Sequence, residues 1–124
     1  MSTLLSIAKR NAVLSRMATL LEEERANLKA INKQDLDNYS GADLAMEKRL
    51  LVDDAKIDGM ILSMQQLASQ EDPIGVERFH FVHEKGMKIT NKTAAFGTVM
   101  IIYESRPDVT VEAGGIAFKS GNKI

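Results

Sequence analysis

Thr98-Val-Met-Ile-Ile-Tyr103 is a continuous apolar run rich in β-branched residues, and Glu104-Ser-Arg-Pro107 breaks it at once. Such a run, without polar alternation, predicts a strand covered on both faces, as the strands of parallel sheets are. Beyond the break, Asp108 or Thr110 can cap a helix that carries Val111, Ile116 and Phe118 and ends near Gly121. Lys123-Ile124 then predicts the start of another strand. Strand, loop, helix and strand in that order open a βαβ crossover, so this stretch decides an α/β fold. A parallel strand lacking its neighbour leaves a ladder unpaired, so residues 96–124 are expected to begin a unit that a longer chain completes.

Upstream, residues 78–84 and 87–93 favour extended chain, and Glu84-Lys85-Gly86 between them supplies a turn glycine, which predicts a hairpin. His80 and His83 lie three apart, on opposite faces of such a strand, and a shared metal ion is not expected. Further back, Ile57, Met60, Ile61, Met64, Leu67 and Ala68 follow the 3.6-residue period behind an Asp53 N-cap, and Asp72-Pro73 with Gly75 ends that helix. Methionine stripes serve promiscuous binding surfaces or fill cores; beside Ile and Leu at helical spacing these are read as core. A brief helix is expected from about Ala42 to Leu51, after a turn at Tyr39-Ser40-Gly41. Leu14, Met17, Leu21, Leu28 and Ile31 predict one long amphipathic helix over residues 4–31, with Arg16, Glu22, Glu23, Glu24 and Arg25 on its wet face. The chain therefore divides into helical residues 1–76, a hairpin at 77–95 and the βαβ opening at 96–124.

Composition limits the function classes. The 124 residues are 44% hydrophobic, which suits one small core. Sixteen basic against 17 acidic side chains leave no net field to draw the chain to nucleic acid or an anionic membrane. No apolar run approaches the ~20 residues of a membrane span and the start lacks signal-peptide order, so a cytoplasmic location is expected. Cysteine is absent, which removes disulfides, thiolate metal ligands and thiol nucleophiles from this stretch.

In open α/β sheets ligands gather beyond the carboxyl ends of the strands, beside the unbonded N–H groups of a helix start. That place is Tyr103 to Thr110, which offers the Glu104 carboxylate, the Ser105 hydroxyl and the planar Arg106 cation. An acidic, phosphorylated or dinucleotide ligand suits it; Arg106 could equally close the loop as a structural ion pair. Neither a G-x-G-x-x-G nor a P-loop pattern follows the strand. Gly114-Gly115 falls inside the predicted helix, where close packing on a sheet explains it better than phosphate contact. No serine, histidine and acid form a credible triad.

The string Phe96-Gly-Thr-Val-Met-Ile-Ile-Tyr-Glu-Ser-Arg-Pro-Asp-Val-Thr-Val-Glu-Ala113, followed by Lys119-Ser-Gly-Asn122, strongly resembles γ-glutamyl phosphate reductases of the aldehyde dehydrogenase superfamily. Asn32-Lys-Gln-Asp35 and Asp72-Pro-Ile-Gly75 look like landmarks of the same family. The resemblance implies an aldehyde dehydrogenase-like fold, in which amino-terminal helices and a β-hairpin lead into a Rossmann-like parallel sheet. It implies NADPH-dependent reduction of γ-glutamyl phosphate to glutamate 5-semialdehyde and phosphate, a step of proline biosynthesis. In that family a cysteine thiolate attacks the acyl phosphate and hydride then reduces the thioester; the cysteine lies well downstream of the matched segment. By the same resemblance the chain corresponds to about the first third of such an enzyme and is expected to be inactive alone. Glu104, Ser105, Pro107, Lys119 and Asn122 are the implied NADP contacts, and Arg106 with Ser105 the implied substrate contacts. The hairpin resembles the superfamily's oligomerisation strands, so a homo-oligomer is implied for the whole enzyme. The competing expectation is a non-catalytic helical interaction module derived from such an enzyme.

Overall fold

The computed structural model describes residues 4–104 and 106–124. The first helix, α1 (Ile7–Glu23), starts at Ser6, whose hydroxyl accepts the Lys9 N–H and satisfies one of the free first-turn donors. It buries Arg10, Leu14 and Ala18, each four residues after the last, on one stripe. The long helix expected over residues 4–31 is divided at Glu24 and then runs on as α2 (Arg25–Asn38). The hydrogen-bond ladder passes through the division, with Glu24 N–H on the Leu20 carbonyl at 2.9 Å and Leu28 N–H on the Glu24 carbonyl at 2.8 Å. Arg25 fixes the bend: it pairs with Glu22 at 2.6 Å and crosses to Asp54 at 3.2 Å and to Asp58. Apolar periodicity fades after Ile31, yet α2 continues because Asn32 is anchored rather than solvated. Its amide donates to the Leu50 carbonyl at 2.8 Å, and its side-chain oxygen accepts the Val52 N–H at 2.7 Å.

Asp43 caps α3 (Leu44–Leu50); Asp53, as the sequence predicts, caps α4 (Asp54–Ser69) by accepting the Lys56 N–H at 2.9 Å. The α4 stripe is core: Ile57, Met60 and Met64 are buried against Leu14, Ala18 and Val52. Partly buried Leu21, Ile61 and Val111 pack against both clusters and join them.

The hairpin forms from β1 (Glu77–Val82) and β2 (Lys88–Lys92), antiparallel, with Phe81 opposite Ile89 and His80 opposite Thr90. Gly86 turns it at a φ of 83°, which a side chain would resist. Thr93 staples the base: its hydroxyl donates to the Pro73 carbonyl at 2.7 Å and accepts the Val76 N–H at 2.9 Å. Every residue of β1 is exposed.

The last helix, α5 (Pro107–Lys119), departs from expectation at its start, since neither Asp108 nor Thr110 caps it. Arg106 occupies the cap position without a side-chain capping bond, and Pro107 at the first helical position needs no N–H partner. Its other end closes as a Schellman turn on Gly121 (φ 75°): Gly121 N–H bonds the Phe118 carbonyl and Asn122 N–H the Ala117 carbonyl.

The apolar run Thr98 to Tyr103 is not the doubly covered strand expected from its composition. A single parallel bridge links Thr98 with Lys123, through Val99 N–H to the Lys123 carbonyl and Lys123 N–H to the Gly97 carbonyl, both at 2.8 Å. Along it Val99 and Ile101 are half-buried while Met100 and Ile102 are 81% and 84% exposed, so one face alone is covered. Composition reports that a stretch can be buried twice over; a second layer has to be present to do it. Gly115 also differs from expectation. It brings α5 against α4, not against a sheet: a Cβ there would lie 2.6 Å from Met64 Cε and 3.0 Å from Leu67 Cδ1. With the parallel bridge and its intervening helix behind the helices and hairpin, the chain is an α/β fold consistent with part of a Rossmann-like, aldehyde dehydrogenase-type architecture.

Candidate functional site

The sequence-predicted site residues fall at opposite ends of α5. Glu104, Arg106 and Pro107 stand at its start, Lys119 and Asn122 at its finish, and 13 helical residues separate the groups by ~18 Å. Ser105 lies outside the described residues.

At the start, Tyr103 Oη and Thr110 Oγ1 share a hydrogen bond at 2.5 Å that pins the end of the apolar run to the first turn of α5. Arg106 N–H donates to the Glu104 carbonyl at 2.6 Å. Arg49 of α3 reaches the Glu104 carboxylate at 2.6 Å, across 55 residues of sequence. The Arg106 guanidinium bonds Asp108 at 3.3 Å, so the ion pair that could close the loop is formed. The guanidinium is nevertheless half-exposed, and one edge of a planar five-donor group is committed, which leaves the other toward solvent. Asp108 Oδ1 is buried with no hydrogen-bond partner among the described residues. The result is an open loop bearing a held carboxylate, a presented cation and a helix start.

The other end is built differently. Lys119 is buried; its ammonium donates to Asn11 Oδ1 and to the Gln70 carbonyl, both at 2.7 Å. Burial, and then the positive charge of Arg10, pull its pKa below the ordinary lysine value. Arg10, also buried, donates to the Leu5 carbonyl at 3.1 Å, to the Lys119 carbonyl, and to Asp72 at 2.6 Å. This cluster ties α1, the end of α4 and the end of α5 together. Asn122 Oδ1 accepts the N–H groups of Phe96 at 2.7 Å and Gly97 at 3.0 Å, which sets the approach to the apolar run. The Lys119 ammonium and the Asn122 side-chain oxygen therefore hold the frame. A groove of about 890 Å³ opens beside them, lined by Leu4, Leu5, Thr98, Phe118 and Ile124 over Arg10, away from the Glu104 loop.

Two residues of consequence escaped the sequence reading. Arg10 carried a signal, since a cation on the stripe of Leu14, Ala18 and Leu21 must find a buried partner. Arg49 carried none.

The Arg10 bond and the Ile74 N–H hold Asp72 below the usual carboxylate range. A carboxylate depressed in the folded state contributes stability that is whole above its unfolded pKa, roughly 3.9, and is lost as pH falls through the folded value. Equilibrium urea unfolding is expected to show midpoints falling below that pH, with the fall reduced in Asp72→Asn; an equal fall in both proteins would rule out this source.

No family model matches the chain. A γ-glutamyl phosphate reductase of Leptospira interrogans serovar Lai is 37% identical over 120 residues, 95% of this chain and 29% of that protein. The same enzyme of serovar copenhageni is 36% identical over the same shares. Among solved structures, γ-glutamyl phosphate reductase of Thermotoga maritima superposes with a TM-score of 0.87 at 32% identity, over 95% of this chain and 29% of that one. That of Saccharomyces cerevisiae gives 0.88 at 28% identity, over 95% and 31%. Helices, hairpin, apolar run and Glu104 loop thus together resemble the amino-terminal part of γ-glutamyl phosphate reductases, and the chain spans about three tenths of the length of these relatives.

Proposed function

We propose that this chain is the amino-terminal part of an NADPH-dependent reductase that converts γ-glutamyl phosphate to glutamate 5-semialdehyde and phosphate in proline biosynthesis. The observation that carries the reading is the match over 95% of the chain, in sequence and in backbone, to enzymes of that name. The geometry supports a share in ligand binding and not the chemical step itself. Half-exposed Arg106, at the start of α5, suits a carboxylate or phosphate of substrate or cofactor. Glu104 and Pro107 shape the loop that presents it. The Arg106 loop is offered as one part of a dinucleotide cradle; the Lys119 ammonium reaches a nucleotide only by leaving Asn11 and Gln70, and the Asn122 side-chain oxygen only by leaving Phe96 and Gly97. NADPH supplies hydride when bound, and the thiol nucleophile belongs to the remainder of the enzyme, since these 124 residues hold no cysteine. A cytoplasmic homo-oligomer is proposed with it. The exposed faces of β1 and of Met100-Ile102 are where further protein would pack.

The test is to express the whole reading frame that carries this sequence, purify its product and follow nicotinamide absorbance with γ-glutamyl phosphate. NADPH oxidation that depends on the acyl phosphate is expected. A natural product that ends at Ile124, or one that binds NADPH and leaves the acyl phosphate unreduced, overturns the proposal in favour of a non-catalytic module. Residues 1–124 alone are expected to bind NADPH weakly, because a partial cleft encloses little of a ligand.

A further inference from the structure

Arg49 is a half-exposed arginine on a firmly held stretch of backbone. Its carbonyl accepts the Lys56 ammonium at 2.7 Å, and the next carbonyl, of Leu50, accepts the buried Asn32 amide at 2.8 Å. Val52, two residues on, is buried in the core. The backbone beneath Arg49 is thus fixed to α2 and α4, although α3 itself buries no residue. From that base the guanidinium crosses to the Glu104 carboxylate at 2.6 Å, and along α3 it also meets Met46 Sδ at 3.8 Å. Nothing else described holds the Glu104 side chain.

From this we infer that Arg49 is a positioning residue for the Glu104–Pro107 loop: it holds the Glu104 carboxylate on α3, so that the guanidinium edge of Arg106 not taken by Asp108 meets an anionic group without a second carboxylate beside it. Glu104 and Arg106 are two residues apart and joined through the backbone at 2.6 Å. Freed from Arg49, the carboxylate stands beside the half-exposed Arg106 guanidinium, where it competes for that cation and repels an incoming carboxylate or phosphate. The significance for catalysis rests on the reading of this loop as the substrate-facing one; the geometry of the latch does not.

The test separates the two. Amide hydrogen exchange is measured on the 124-residue chain and on Arg49→Gln, Glu104→Gln, Arg49→Lys and the reversed pair R49E/E104R. Both glutamine variants are expected to raise exchange over residues 103–106 by about two- to fivefold, with α4 and α5 unchanged, as suits a half-exposed ion pair acting locally. The lysine variant and the reversed pair are expected to return most of the protection. Unchanged exchange in either glutamine variant, loss of protection throughout the chain, failure of Arg49→Gln to fold, or no recovery in the reversed pair overturns the inference. In the whole enzyme, Arg49→Gln is expected to raise KM for the acyl phosphate more than it lowers kcat. Glu104→Gln added to it is expected to restore KM, because the competing charge is gone; a KM that stays high overturns the role in substrate binding. Absence of reductase activity in the unaltered enzyme would sink the proposed function and leave the exchange result standing.

Discussion

Arg10→Met is expected to lower the free energy of unfolding by about 3 kcal/mol, at the bottom of the range of roughly 3–5 kcal/mol for removing one partner of a buried ion pair. The lower end applies for two reasons. Asp72 is about one-third exposed and can recover water when its partner goes. Lys119 gains as well, because a neighbouring positive charge that depresses its pKa is removed. What remains is the loss at the Lys119 and Leu5 carbonyls, each of which accepts an Arg10 N–H that methionine cannot supply. Arg10→Lys is expected to fall between, since an ammonium carries the charge but cannot fork to three acceptors in one plane. Chemical denaturation of the three proteins at neutral pH checks the order. Equal stability of Arg10→Met and the parent would mean that the cluster specifies geometry without adding net stability, as some buried ion pairs do.

The regular elements were legible where local pattern and tertiary context agree. Ile57, Met60 and Met64 lie on one period behind Asp53, and both the helix and its core face are found. Gly86 marked the hairpin turn because only a residue free to take positive φ serves there. The failures have physical causes. Thr98 to Tyr103 has the composition of a strand between two layers, but burial is a property of neighbours, and Met100 and Ile102 face outward here. Asp108 and Thr110 suit a cap by residue type, yet Pro107 ahead of them already starts α5; its fixed φ suits a first-turn position with no N–H to satisfy. For the site, the string Glu104 to Pro107 was legible as one loop ahead of a helix. The burial of Lys119 was not, because its partners Asn11 and Gln70 come from distant parts of the sequence. The Arg49 contact, 55 residues away, leaves no periodic trace at all.

Met64→Ala is expected to cost about 2–5 kcal/mol, the range for truncating a fully buried Met, Leu or Ile to Ala. Met64 is fully buried between Leu14 and Ala18 of α1 and the Gly115 face of α5, so its loss opens a void that three helices share. Gly115→Ala is expected to destabilise from the opposite side, by about 1–3 kcal/mol, because the new Cβ would sit 2.6 Å from Met64 Cε and 2.9 Å from its Sδ. These two atoms are also what Met64→Ala removes. In the double variant the added methyl therefore enters space that the truncation vacates, and of its three nearest neighbours Leu67 Cδ1 at 3.0 Å remains. Alanine also loses less backbone entropy than glycine in a helix interior, a gain of about 1 kcal/mol that the parent cannot use while Met64 stands in the way. The two costs should therefore fall short of additivity by about 1–3 kcal/mol, as residues sharing one cavity do. A double-mutant cycle by urea unfolding measures this, and strictly additive costs would mean that α4 and α5 do not meet at this pair. The same contact sets the height of α5 on the helical layer, and the start of α5 carries Arg106. A variant that lifts α5 is thus expected to move the Glu104–Pro107 loop without touching any of its residues.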